Sequence, residues 1–228
     1  MGSRQAAPRG PGGPGLTIRS YVAPVAFVVS ALGLVVGLVA LYSAEGPNSP
    51  DITSYLASPS GRSEFFLVPF SLTAAILLLT VGMLSLTFEL REREPYLSTL
   101  ANGLVVTAAS VFTGFLSVQY ALVGLAVEGT DPANQSYKLF AVAAHAIADW
   151  GGWTGIVLIC GSLLAIGVAM IRLRIHRLSG GWAIGTAVVG LALIPIGFGF
   201  VFMLPLAVWQ LVTAAALFCR NLKRHATV

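Results

Sequence analysis

Charge is what this sequence has least of. Only 10% of its 228 residues are Asp, Glu, Lys or Arg, against about 25% in soluble domains. A water-soluble fold of this length could not cover its surface from so small a supply. With 56% hydrophobic residues, most of the surface must face lipid. Cysteine is nearly missing as well. Cys160 and Cys219 both fall in apolar runs and toward the same side, so neither a disulfide framework nor a Cys-x-x-Cys site is expected. Histidine is scarce, and His145 alone lies within an apolar run, so a haem held from both faces is excluded. His145 and Asp149 together offer two ligands, too few for a structural zinc site. There is no glycine-rich phosphate loop and no polar stretch long enough for a soluble catalytic domain. No cofactor is expected.

What is present is a succession of apolar runs, at 21–43, 65–88, 96–126, 138–171, 182–199 and 202–219. A spanning helix needs about 20 apolar residues, which the first four runs supply outright. The last two are shorter and share one continuous stretch. Within it "LIPIGFGFVFMLP", 193–205, carries two prolines and two glycines that suit a tight hairpin. The expected fold is therefore all-α, a bundle of six transmembrane helices over 20–220. A Pro/Gly-rich tail over 1–19 is expected to be disordered, and 221–228 forms a basic tail. The first run is longer than a signal peptide's hydrophobic region, so it is read as retained.

Basic residues set the orientation. With a cytoplasmic N-terminus, the inner segments hold Arg4, Arg9, Arg19, Arg91, Arg93, Arg172, Arg174, Arg177, Arg220, Lys223 and Arg224. The outer loops hold only Arg62 and Lys138. Both termini are thus expected in the cytoplasm, in a multi-pass cell-membrane protein. The pI near 9.4 is then a topology signal rather than a nucleic-acid footprint, and contact with anionic lipid heads follows from the same charges. Small residues recur at spacings of three and four in two runs: Ser30, Gly33, Gly37, Ala40 and Ala44, and again Gly103, Val106, Ser110, Thr113, Ser117 and Tyr120. Such stripes let helices approach closely in lipid.

The stretch "HAIADWGGW", 145–153, places His145 and Asp149 at i and i+4, on one helical face. Counted inward from Lys138, they lie about 10 and about 16 Å along the run. Gln119, Tyr120 and Gln210 fall at a similar depth when each is counted from the outer end of its own run. Intramembrane ionisable groups are costly and commonly mark ligand or proton sites. Two other roles fit the same residues. His145 and Asp149 could be a structural pair holding helix register, or His145 could act as a base oriented by Asp149 in a membrane enzyme. The leading expectation is a small-molecule or ion binding, sensing or transporter-like accessory protein with an outward-facing polar pocket. A scaffold without a ligand, as homo-oligomer or beside a partner membrane protein, is the third reading.

From residue 139 onward, "AAHAIADW", the basic turn "RLRIHRLSGGWAIG" and "LPLAVWQLVTAAALFC" with its basic end resemble uncharacterised bacterial membrane proteins grouped as domain of unknown function 4386. Those proteins often carry Pro before the aromatic residue of the turn and an acid after the Gln of the last helix. Here Gly181 precedes Trp182 and Leu211 follows Gln210. The resemblance implies a six-helix membrane fold and no activity.

Overall fold

Proline opens three of the long helices, where its missing N–H costs nothing and its fixed φ is already helical. These are α1 (Pro14–Ser43), α2 (Pro59–Leu90) and α3 (Pro95–Val127). They are followed by α4 (Gln135–Arg172), α5 (Arg177–Leu193), a single 3₁₀ turn (Gly199–Phe202) and α6 (Met203–Ala226). The structure, a computed structural model, describes residues 14–43, 59–127, 135–195 and 199–226. Within these, the side chains of some helical residues, His145 and Asp149 among them, lie outside the described set. No strand occurs among the described residues.

Five helices contain stretches long and apolar enough to cross a membrane: Tyr21–Ala40, Phe66–Leu90, Pro95–Ala121, Trp150–Arg172 and Met203–Lys223. At 17 residues α5 is the exception. Two helix ends differ from expectation. α1 begins at Pro14, inside the segment read as a disordered tail, and α6 runs through the basic tail to Ala226. Residues 1–13 of that tail lie outside the described residues. In α6 the backbone continues its hydrogen-bond ladder past the end of the apolar run, because Arg, Lys and Leu are good helix formers in or out of lipid; in α1 Pro14 sits at the helix start, where its fixed φ is already helical.

The helices pack in chain order and close on themselves. α1 lies between α2 and α6, α3 between α2 and α4, and α5 between α4 and α6. Phe27, Leu34, Leu79, Met83, Ile159, Leu163 and Trp209 fill the middle with almost no exposure. On the outside stand Val25, Leu32, Val39, Phe70, Leu77, Val106 and Val208. Such continuous apolar exterior has lipid as its natural solvent.

The first small-residue stripe packs against α2 at Ser30, Gly33 and Gly37, while Ala44 lies outside the described residues. Ser30 donates a hydrogen bond to the Ala75 carbonyl at 2.7 Å. A side chain at Gly33 or Gly37 would run into Ala75, Ser71 or Leu72 of α2. The second stripe points away from the bundle. Gly103, Val106, Ser110, Thr113 and Ser117 are exposed, and the two serines return their hydroxyls to the carbonyls of Val106 and Thr113. On α3 the close approach comes instead from the opposite face, where Phe112 and Phe115 sit over Gly155 and Gly151 of α4.

Candidate functional site

The helix that carries His145 and Asp149, α4, is longer than a crossing needs. Its 38 residues extend about 57 Å at 1.5 Å per residue, nearly twice the about 30 Å of a bilayer's hydrocarbon core. The stretch Trp150–Arg172 is already sufficient to cross. Asp149 directly precedes this stretch, and His145 stands one helical turn further toward Gln135. Trp150, next to Asp149, is strongly exposed, as suits a tryptophan at a membrane boundary.

The contact between α3 and α4 decides what lies beside this segment. A Cβ on Gly151 would meet the Cβ of Phe115 at 2.8 Å, so these two backbones touch there. The helices are antiparallel. Four residues on from Phe115 stands Gln119, and four residues back from Gly151 stands Ile147. Gln119 and Tyr120 are thus level with the turn that bears His145 and Asp149. Tyr120 is half-buried and stacks obliquely on Phe66 of α2, ring centres 5.2 Å apart. Three helices meet at this end of the bundle, where Gln119 and Tyr120 are both half-buried.

Gln210 is elsewhere. Its neighbour Trp209 packs edge-on against Phe27 at 5.4 Å, and the Phe27 ring lies over Gly82 of α2. Gly82 is sixteen residues beyond Phe66 in α2, about 24 Å along the axis. The structure therefore separates Gln210 from the level of Tyr120. Counting inward from residue 202 misplaced it because α6 packs against the Arg177 end of α5: Trp209 Nε1 donates to the Ser179 carbonyl at 3.2 Å, and the Ser179 and Thr213 hydroxyls share a hydrogen bond. Gln210 is fully buried, and neither atom of its amide has a hydrogen-bond partner among the described residues. Leaving such a group unmet costs about 1–3 kcal/mol in soluble proteins, and less where the unfolded reference is itself in lipid.

No family model, characterised protein or solved structure matches this chain. The site must be judged by its chemistry. Among the described residues no group of three or more His, Cys, Asp or Glu side chains could hold a metal ion.

The opposite end of the bundle holds a second cluster that the sequence reading passed over. α4 ends in a Schellman cap: Ile175 N–H donates to the Met170 carbonyl and Arg174 N–H to that of Ile171. Arg174 accordingly adopts φ 57°, where glycine is usual. His176 follows with φ 47° and begins α5 without using its side chain as a cap. Arg220 of α6 forms an ion pair with Glu89 at the end of α2. Burial pushes the His176 imidazole below its usual range, Arg220 adds to the effect, and Glu89 opposes it. Both cysteines are free thiols, Cys160 buried in the bundle and Cys219 exposed at this end. The signal was present in the spacing of Ala216, Cys219, Arg220 and Lys223, one face of α6. As a sequence it was indistinguishable from a plain topology signal.

Proposed function

We propose that this chain is a six-span membrane protein that binds a small polar molecule or ion at its outer face, between α3 and α4. Gln119, Tyr120, His145 and Asp149 are the residues put forward to line the site. The observation that carries this reading is the α3–α4 register, which levels Gln119 and Tyr120 with the turn bearing His145 and Asp149. In this reading α5 is the sixth crossing, and its 17 residues suffice because the bilayer thins locally around a short span. The basic end faces the cytoplasm, so the polar group of residues faces outward. Gln210 stands apart from this pocket.

The test is thermal unfolding of the purified protein in a neutral detergent, scanned against sodium, potassium, calcium, magnesium and a panel of amino acids and polyamines. A true ligand present at a hundred times its Kd stabilises by about 2.7 kcal/mol. That shift should vanish in Asp149→Asn and weaken in Tyr120→Phe, with the unliganded melting temperature unchanged in both. A shift of the same size in all three proteins would place the ligand elsewhere. Finding no shift with any panel member would remove the support for a binding protein of this chemistry.

A further inference from the structure

At the basic end a cleft of about 400 Å³ opens between the α4–α5 turn and the last turns of α6. It is lined by His176, Ala216, Cys219, Arg220 and Lys223. The four α6 residues fall at i, i+3, i+4 and i+7, so they share one face. Two nitrogens of the lining, His176 Nε2 and Arg220 Nε, are sealed from solvent and have no hydrogen-bond partner among the described residues. Buried polar atoms are nearly always paired in folded proteins, and an orphan marks either strain or a group that something else is meant to meet. Here there are two in one cleft.

Their chemistry specifies the missing partner. A guanidinium Nε–H is donor only, and Lys223 adds an ammonium on the same face. Glu89 already engages an Arg220 terminal nitrogen, and Arg220 Nε is not part of that contact. Around the turn stand Arg172, Arg174 and Arg177, all exposed. The ligand must therefore be an acceptor with several oxygens and negative charge. It must also tolerate aliphatic walls, since Ala216 and the stems of Arg220 and Lys223 form much of the cleft.

We propose that this cleft is a phosphate site, taking a phosphate monoester or diester, with Arg220 Nε, Lys223 Nζ and His176 Nε2 as its donors. The group can be presented by an anionic phospholipid headgroup of the adjoining leaflet or by a soluble phosphate. His176 holds a left-handed backbone with its side chain toward the cleft rather than capping α5. That costly conformation is the kind that functional sites retain. The site is independent of the pocket proposed between α3 and α4.

The chain carries its own reporter. Cys219 lines the cleft and is exposed, whereas Cys160 is fully buried, so an uncharged water-soluble maleimide reads the cleft alone. The full-length protein is labelled in nanodiscs of phosphatidylcholine, with and without phosphatidylglycerol, and separately in phosphatidylcholine discs with inorganic phosphate against chloride at equal ionic strength. Occupancy should slow Cys219 labelling saturably by at least fivefold. The concentration for half protection should rise at least tenfold in Lys223→Gln and in His176→Asn. Asparagine is chosen because it accepts a left-handed φ, so the turn survives. Protection by phosphatidylglycerol alone assigns the headgroup, and protection by inorganic phosphate assigns a soluble ligand. Protection by neither, or equal protection in both variants, overturns the proposal.

Discussion

Replacing Gly151 by alanine tests the contact on which the outer pocket depends. The added Cβ would lie 2.8 Å from the Cβ of Phe115, whereas carbon atoms at rest sit about 3.5–4.0 Å apart. The nearest atom is the root of a side chain, fixed to the α3 backbone, so rotating Phe115 cannot relieve it. The helices must separate by more than half an ångström. Overpacking of this kind costs about 1–3 kcal/mol, partly offset by the better helix propensity of alanine, at most about 1 kcal/mol. The net expectation is destabilisation of about 1–2 kcal/mol. Gly114, in the partner helix, supplies the control, since a Cβ there meets nothing within 4 Å. Gly114→Ala should be neutral or stabilising by up to about 1 kcal/mol. A second pair separates register from bulk. A Cβ at Gly155 would strike the ring of Phe112, including Cδ2 at 2.7 Å, so Phe112→Leu should partly rescue Gly155→Ala. Phe115→Leu, which keeps its Cβ, should not rescue Gly151→Ala. Reversible unfolding in mixed micelles, followed by tryptophan fluorescence, measures all of these. Gly151→Ala and Gly114→Ala shifting stability in the same direction, or Phe115→Leu rescuing Gly151→Ala, would show that the glycines do not set the register.

Ser30→Ala removes the hydrogen bond to the Ala75 carbonyl and should cost about 0.6 kcal/mol, the usual worth of an interhelical bond in lipid, read by the same unfolding assay. His176 has a lowered pKa when folded, from a usual value of 6.5, so the unfolded chain binds the proton more tightly. Stability should accordingly fall as pH drops below about 6.5, and the melting temperature of His176→Asn should fall less between pH 7.5 and 5.5. From the distribution of Arg and Lys, reporters fused at the N-terminus, in the 91–94 turn and at the C-terminus should read cytoplasm, and one near Asn134 should read the outer side. An external reading at the C-terminus would mean that α5 does not cross.

Much of this architecture is legible without coordinates because bilayer thickness imposes a length and a composition on each helix. The six apolar runs correspond to α1–α6, and the close approach of Ser30, Gly33 and Gly37 to α2 follows from residue size alone. The same signal misdirects at α3, since spacing identifies a stripe but not which face a neighbour occupies. Depth is the weaker inference. Counting from Lys138 fixes a position along α4 only, because the helix from Gln135 to Arg172 is longer than a crossing needs. For Gln210 the error lay in assuming that α6 begins level with the outer ends of its neighbours, while it is seated against Phe27 and Ser179. The cleft at His176 was hidden for another reason: Arg220 and Lys223 explain themselves as topology determinants, and only the pairing of α2, α5 and α6 ends shows that they also converge.

The narrow face of α5 bears on how the protein is made. Its buried side is Ser179, Gly180, Ala183, Thr186, Ala187 and Gly190, side chains that fit between neighbours and give little hold in lipid by themselves. During synthesis α5 emerges before the helix that supplies Trp209 and Thr213 to it. In the six-span reading it therefore has no stable resting place until α6 arrives, and the two are committed to the membrane as one hairpin. A chain truncated at residue 199 with a reporter attached should distribute between both sides. The same reporter after Val228 should appear on one side only, because the second half of the hairpin determines the fate of the first.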